Sequence, residues 1–399
     1  MVTKALTGIR VLDLSRVLAG PWCTQMLGDL GAEVIKIEQP GKGDDTRGWG
    51  PPWHGAGADR LSAYYLSANR NKKSVAIDLS KAEGQALIRE LAAQCDVLVE
   101  NFKVGGLAKY GLDYISLKAI NPRLVYCSIT GFGHSGPRAH QPGYDLMVQG
   151  MSGLMSVTGD PAGEPQKVGV ALIDVMTGLH ACIAVLAALN QRHATGRGQF
   201  IDMALLDVAM STLANIGLNQ RVTGTPPQRM GNAHPSVVPY QVFETADGHM
   251  IVAVGNDSQF AHFVTALGLA PLATDARYAT NAARVDHRET LIPQLADAMR
   301  TQPTAHWDAA LNAVNVPAGP INDIGQAFAD PQSVARGLAT MAGTRPAIAS
   351  PLRLSDSMPD AGTEPPLLGQ DTDAVLRDFL GHNADDIARL KAQGVIAPA

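Results

Sequence analysis

Apolar positions along the 399-residue chain fall into short runs separated by longer stretches in which they recur every three or four residues. Residues 8–14 (G-I-R-V-L-D-L) form such a run and read as a buried strand. Residues 19–30 have helical spacing and stop at Gly31, and residues 32–38 (A-E-V-I-K-I-E) form a second run. A strand, a helix and a strand in that order make a βαβ unit, which sets the two strands parallel in one sheet. The pattern recurs as a strand over 74–79, a helix over 81–94 and a strand over 96–100, then a short helix near 114–121 and a strand over 124–129. Residues 168–173 lean towards strand and lead into a long amphipathic helix, 175–193, ended by the glycine-containing 194–198. A strand over 200–203 and a helix over 205–219 follow. The predicted fold class is α/β, with a Rossmann-like large domain built on a parallel sheet.

The pattern changes at residues 223–227. An Asp-Gly pair at 247–248 between apolar runs signals a hairpin. Helices near 259–267, 288–299 and 305–314 complete a smaller α+β domain. The expected division is 1–222 for the first part of the large domain, 223–325 for the small domain, and 326–399 for a linker and a return to the large domain. Residues 40–68, rich in Gly, Pro, Trp and Tyr, interrupt the alternation as a long irregular loop of the kind that covers a site.

Composition narrows the function classes. With 46% hydrophobic residues the chain can bury a substantial core, and 32 Lys+Arg against 37 Asp+Glu, without a basic block, argue against a nucleic-acid partner. No apolar run reaches the roughly 18 residues of a membrane span, and the opening M-V-T-K-A-L-T-G lacks the apolar core of a signal peptide. A cytoplasmic protein with no membrane partner is expected. The four cysteines (Cys23, Cys95, Cys127, Cys182) are scattered, with no C-x-x-C and no metal-type spacing to histidine. They read as reduced and packed, and no metal site is expected.

The first βα turn, S-R-V-L-A-G-P, lacks the glycines of a dinucleotide fingerprint, while the G-F-G-H-S-G at 131–136 is followed by Pro137 and opens no helix. Candidate chemistry sits instead in residues 167–178, K-V-G-V-A-L-I-D-V-M-T-G. They deliver one carboxylate, Asp174, to the start of the long helix, where free N–H groups and the helix dipole favour its ionised form. Two readings stand there: an N-cap, or a poised nucleophile.

Several local strings then combine: R-V-L-A-G-P at 16–21, D-L-G-A-E-V-I-K-I-E-Q-P-G-K-G-D at 29–44, N-R-N-K-K-S at 69–74, V-E-N-F at 99–102, G-Y-D at 143–145, D-V-M-T-G at 174–178 and G-N-A-H-P-S-V-V-P-Y at 231–240. In this order and spacing the chain resembles the class III CoA-transferases, the family of formyl-CoA and carnitine CoA-transferases. The resemblance implies ring-like chains interlocked as a homodimer with the active site near the interface. It also implies acyl-CoA and a small carboxylic acid as substrates, and no tightly bound cofactor. Asp174 matches the aspartate that is acylated during turnover, first as a mixed anhydride and then as an aspartyl-CoA thioester.

On the same resemblance Val17, Leu18, Asn69, Arg70, Lys72, Lys73, Asn101, Phe102 and Lys109 lie along CoA. Read alone, 69–73 is a solvated basic turn, and Asn101 with Phe102 a strand-terminating turn. Leu18 stands where formyl-CoA transferases carry glutamine, which argues against carrying over their substrate. Gly231, Asn232 and His234 offer backbone N–H groups to an oxyanion, or form a plain tight turn with a structural histidine. The α-methylacyl-CoA racemases share the fold but carry histidine where this chain has Tyr144, and a phenol with a pKa near 10 is a poor base at neutral pH. Tyr144 then closes the pocket. The string D-D-T-R-G-W-G-P-P at 44–52, with Tyr64 and Tyr65, looks most like succinyl-CoA:glutarate and related dicarboxylate enzymes. Arg47 or Arg16 would grip the second carboxylate bidentately, or anchor a loop. The alternatives are a racemase-like enzyme, a transferase for a monocarboxylate, and a non-enzymic CoA-binding protein.

Overall fold

A computed structural model describes residues 4–359 and 361–397. The elements follow in chain order as β1 (Arg10–Asp13), α1 (Ala19–Asp29), β2 (Glu33–Glu38), β3 (Trp53–His54), β4 (Leu61–Ser62), α2 (Ala63–Ala68), β5 (Lys72–Ala76), α3 (Ala82–Gln94), β6 (Val97–Glu100), α4 (Tyr114–Ile120), β7 (Val125–Thr130), α5 (Asp145–Met151), α6 (Leu172–Thr195), β8 (Phe200–Ala204), α7 (Leu205–Thr212) and α8 (Ala214–Thr223). The chain forms two compact units. The larger comprises the residues up to Leu154, Lys167–Val222 and those from Pro331 onward; the smaller comprises Met155–Gln166 and Thr223–Asp330. The smaller unit thus also draws on a short excursion that the hydrophobic pattern did not mark.

In the larger unit six parallel strands run in the order β5-β2-β1-β6-β7-β8. This is the 3-2-1-4-5-6 order of a Rossmann-type sheet, whose strand order reverses between β1 and β6. Successive strand residues face opposite layers. Val11, Val34, Val97 and Val99 pack against α1 and α6, while Leu12, Ile35 and Leu98 pack against α3 and the C-terminal helices Thr372–Leu380 and Ala384–Ala392. Both faces are covered, which is why these strands read as nearly continuous apolar runs. The returning C-terminal segment also pairs the outer edge at β5: Ser74 N–H donates to the Asp371 carboxylate and Asp371 N–H to the Ser74 carbonyl, each at 2.9 Å.

The smaller unit carries an antiparallel sheet, β9 (Tyr240–Glu244), β10 (His249–Ala253) and β11 (Ala318–Pro320), with the hairpin closing at Thr245 and Gly248 as the Asp-Gly signal predicts. Phe243, Met250, Phe260, Leu295 and Trp307 form its own core.

Three expectations are corrected. No strand forms over 168–173; α6 opens at Leu172 instead, so Asp174 lies inside its first turn. The helix expected over 205–219 is two helices, broken where Ala214 adopts a φ of +46°. And α6 contains an 18-residue window of mean hydropathy 2.0, long and apolar enough by length and composition to cross a membrane. Asp174, Thr177 and His180 break that window, so it is not a continuous apolar run in the sequence. Ala181, Val185, Ala188 and Leu189 on α6 are buried against the sheet, as in a core helix. All four cysteines are buried and free, and the described residues contain no cluster of His, Cys, Asp and Glu able to hold a metal ion.

Candidate active site

The carboxyl ends of β1, β6 and β7 open into a pocket of about 450 Å³ at the point where the strand order reverses, the usual ligand position in such sheets. Its floor is the β1–α1 turn. Asp13 anchors that turn from below: its carboxylate accepts from the N–H and hydroxyl of Ser15, from Thr24 Oγ1 at 2.6 Å and from Lys72 Nζ at 3.0 Å. Burial opposes ionisation there, but the ammonium groups of Lys72 and Lys36 overcome it and bring Asp13 down to about 2. Lys36, fully buried, donates to the Ser15 carbonyl at 2.8 Å and pairs with Asp44 at 2.9 Å.

Above this network Val17 adopts a φ of +70°, a conformation unfavourable for a β-branched residue. The turn is held in it by Asn101 across the switch point, whose side chain accepts from Arg16 N–H at 2.9 Å and donates to the Arg16 carbonyl at 2.7 Å. The next wall is the loop after β7. It folds back at Gly131 and Gly143, whose backbones lie so close that a Cβ on either would sit within 2.5 Å of the other's Cα. Gly131 of the string at 131–136 therefore serves a close backbone approach.

Asp174 enters this pocket from the first turn of α6. The cap of that helix is supplied by Asp145, the first residue of α5, whose Oδ1 accepts from Ile173 N–H at 2.7 Å and from Asp174 N–H at 3.2 Å. Gln149 Nε2 steadies the other oxygen at 2.7 Å. The expectation that the helix start holds Asp174 ionised is corrected: burial first, and then the charge of Asp145, push its carboxyl up to about 7. No hydrogen bond or cation among the described residues holds the Asp174 carboxylate. The helix end is already spent on Asp145, so Asp174 is left desolvated. Gly178, one turn on, lets α1 approach; a Cβ there would lie 2.7 Å from the Ala19 carbonyl. The phenol of Tyr64, edge-on to Trp49 at 5.1 Å, is pushed up to about 12 by burial and then by the charge of Asp174, so it stays neutral within electrostatic reach of that carboxylate.

One desolvated carboxylate in a pocket lined by Arg16, Lys103 and Lys109 suits an anionic substrate that reacts with a carboxylate. The sequence pattern of CoA-transferase family III matches residues 6–372. The chain belongs to that family. It is 54% identical over 340 residues to a succinate–glutarate CoA-transferase of Agrobacterium fabrum, covering 84% of each chain. It is 43% identical over 404 residues to a succinyl-CoA:glutarate CoA-transferase of Homo sapiens, covering 98% of this chain and 90% of that one. Among solved structures, a CaiB/BaiF family protein from Brucella suis superposes with a TM-score of 0.86 at 49% identity, over 94% of this chain and 99% of that one.

Within this family III chain the pocket gathers Arg16, Val17, Leu18, Asn101, Phe102, Lys109, Tyr144 and Asp174, all named from the sequence. Tyr144 is 68% exposed at its rim. The basic string at 69–73 does not line this pocket. Asn69 is buried and donates to the Tyr65 carbonyl; Arg70 is buried in an ion pair with Asp29; Lys72 is fully buried on Asp13. Lys73 pairs with Glu33 at 2.6 Å on the sheet surface. Arg47 is likewise committed, to Glu38 at 2.7 Å, to the Tyr65 hydroxyl and to the Pro366 carbonyl, with its guanidinium 3.9 Å over the Tyr65 ring. It anchors the long loop, and of the two arginines only Arg16 reaches the pocket. Gly231, Asn232 and His234 belong to the smaller unit. There Gly231 takes a φ of +57° and His234 is fixed by Ser236 N–H and packs on Tyr240.

Sequence reasoning missed Lys103, His140 and the capping role of Asp145. Lys103 follows V-E-N-F directly, and taking that whole strand end as one turn would have found it. Asp145 was visible in G-Y-D, but only the fold shows that it serves a helix beginning 27 residues later.

Proposed function

We propose that the protein moves CoA from succinyl-CoA to glutarate, with Asp174 as the acyl carrier, a CoA thioester as substrate and no tightly bound cofactor. A carboxylate oxygen of Asp174 attacks the succinyl thioester carbon and expels CoA thiolate, leaving a mixed anhydride. The thiolate then attacks the Asp174 carbonyl carbon and releases succinate, leaving an aspartyl-CoA thioester. A glutarate carboxylate attacks that thioester, expelling the thiolate again, and the thiolate takes the glutaryl group from the second anhydride to give glutaryl-CoA and free Asp174. The observation that carries this reading is the Asp174 carboxylate itself: desolvated, without a hydrogen-bond partner among the described residues, and in a pocket whose lining includes Arg16, Lys103 and Lys109. Desolvation raises the basicity and hence the nucleophilicity of a carboxylate, and the pocket position of Arg16, which pairs with Asp45 at 2.9 Å, supports it as the grip on the distal carboxylate of the acid.

The reading includes a homodimer working in the cytoplasm, without membrane or nucleic-acid partners. Exposed Leu146, Met147, Met151, Ile183, Met210 and Leu218, on α5 to α8, support the dimer, because that much bare apolar surface favours burial against a second copy. Light scattering tests it, and a monomer at micromolar concentration overturns it. For the chemistry, enzyme, succinyl-CoA and glutarate are incubated, glutaryl-CoA is followed by chromatography, and the acyl-enzyme is trapped with hydroxylamine. Glutaryl-CoA with the mark on Asp174 is expected. A mark elsewhere removes Asp174 from its role, and absence of glutaryl-CoA removes the acceptor.

A further inference from the structure

The V-E-N-F string contains a charged residue that the transfer chemistry leaves without a task. Glu100 ends β6 and is only 5% exposed. A carboxylate taken from water needs compensation, yet no cation pairs with it among the described residues. Its contacts are Phe102 N–H, which donates to Oε2 at 2.7 Å, and the hydroxyl of Ser128, its direct partner across β6 and β7. Burial, softened by those two hydrogen bonds, pushes the carboxyl up to about 7. Tyr126 and Cys127 on β7 are the titratable groups that feel its charge.

Ser128 Oγ lies 2.8 Å from His134 Nε2, and a hydroxyl that accepts one hydrogen bond while donating another joins the two in either direction. His134 is itself fixed, by its N–H to the Asp202 carboxylate at 3.0 Å and edge-on to Phe200 at 5.0 Å. The three side chains therefore tie together two separate pocket walls, the turn 101–103 after β6 and the loop that runs from His134 to Tyr144. A leucine in place of Glu100 would fill similar space without an uncompensated charge. What the carboxylate alone supplies is an acceptor for the N–H of the pocket turn.

We propose that Glu100 is a positioning residue for the CoA thioester: it fixes the turn presenting Phe102 and Lys103, and through Ser128 and His134 it keys that turn to the wall formed by the loop after β7. This rests on the pocket being the CoA site. The test compares wild type with Glu100→Leu, Glu100→Gln and His134→Ala, by steady-state kinetics with succinyl-CoA and glutarate and by calorimetric titration with CoA. Loss of the acceptor is expected to raise KM for succinyl-CoA and Kd for CoA about ten-fold in Glu100→Leu, with KM for glutarate held within about two-fold. The amide of Glu100→Gln keeps a carbonyl for Phe102 N–H and restores most of the loss. His134→Ala shifts the same constants in smaller degree. Wild-type CoA affinity in Glu100→Leu, or equal loss in every constant, overturns the proposal. If that variant does not fold, His134→Ala decides, and unchanged CoA binding there overturns it. Wild type that binds CoA but forms no glutaryl-CoA removes the acid acceptor instead, and calorimetry still reports on Glu100.

Discussion

Asp145 accepts the backbone N–H of Asp174 at 3.2 Å, so the helix-end hydrogen bond that a first-turn carboxylate could use for itself is taken by its neighbour. Of the two readings the sequence leaves open for Asp174, capping falls to Asp145, and the proposed nucleophile is a carboxylate that caps nothing. The division has consequences for pH. Burial and then the Asp145 charge raise Asp174 to about 7, so below that pH the carboxyl is protonated and cannot attack a thioester. The profile of kcat/KM is expected to rise with pH through about 7 and then level. In Asp145→Asn the amide oxygen still caps α6 but the charge is gone, so the rising limb moves to lower pH. A limb in the same place in the variant would show that Asp145 does not set it.

The same shift makes a stability statement. The folded value lies above the ordinary 3.8, so folding favours the protonated acid. Its contribution is full below about 3.8 and is lost as pH rises through about 7. At about 1.4 kcal/mol per unit this loss is roughly 4 kcal/mol. Asp174→Asn, with no charge to bury, is therefore expected to be inactive yet more stable than wild type by a few kcal/mol at pH 8, with little difference near pH 4. Denaturant unfolding at the two values checks this; equal midpoints at pH 8 would contradict the burial of a reactive carboxylate.

The two arginines once paired as carboxylate grips should separate cleanly. Arg16→Met, with its side chain about half exposed in the pocket, is expected to raise KM for glutarate about ten-fold without loss of stability. Arg47→Met strands the buried Glu38 carboxylate, and breaking a buried pair from one side costs about 3–5 kcal/mol. Its defect is expected in the unfolding midpoint, while KM for glutarate in the folded fraction stays near wild type. The reverse pattern would return Arg47 to the substrate.

Why the sequence left Arg47 and Lys72 outside the pocket beside Asp174 and brought Asn101 into it is a matter of period and burial. The alternation of apolar residues located the ends of β1, β6 and β7, and in a sheet of this order strand ends are where ligands bind, so Val17, Asn101 and Phe102 came with the topology. A charge on a strand that is buried on both faces looks the same in the sequence as a charge at its mouth. Lys36, Lys72 and Arg47 are held by Asp44, Asp13 and Glu38: Asp13 is distant from Lys72 in sequence, while the other two pairs each join β2 to a loop that has no period to read. The missing strand over 168–173 has a related cause. Leu172 and Ile173 already belong to the opening turn of α6, and a short apolar run carries no period that tells strand from helix.

The glycine contact in the wall beside Asp174 gives the last test. Gly143 precedes Tyr144 and Asp145, and its backbone touches that of Gly131, so any Cβ at 143 must move one strand of the loop. Gly143 is not in the left-handed region, so alanine there is penalised by the contact alone and not by backbone strain. The displacement falls on the loop that delivers Asp145 to the start of α6. Gly143→Ala is therefore expected to lower kcat about ten-fold or more by shifting the cap of Asp174, with the far sheet edge at β5 unaffected. Hydrogen exchange separates the two regions: faster exchange at the amides of Ile173 and Asp174, with Ser74 unchanged, is the expected pattern, and unchanged exchange at 173–174 with full activity would show that the contact tolerates a methyl group.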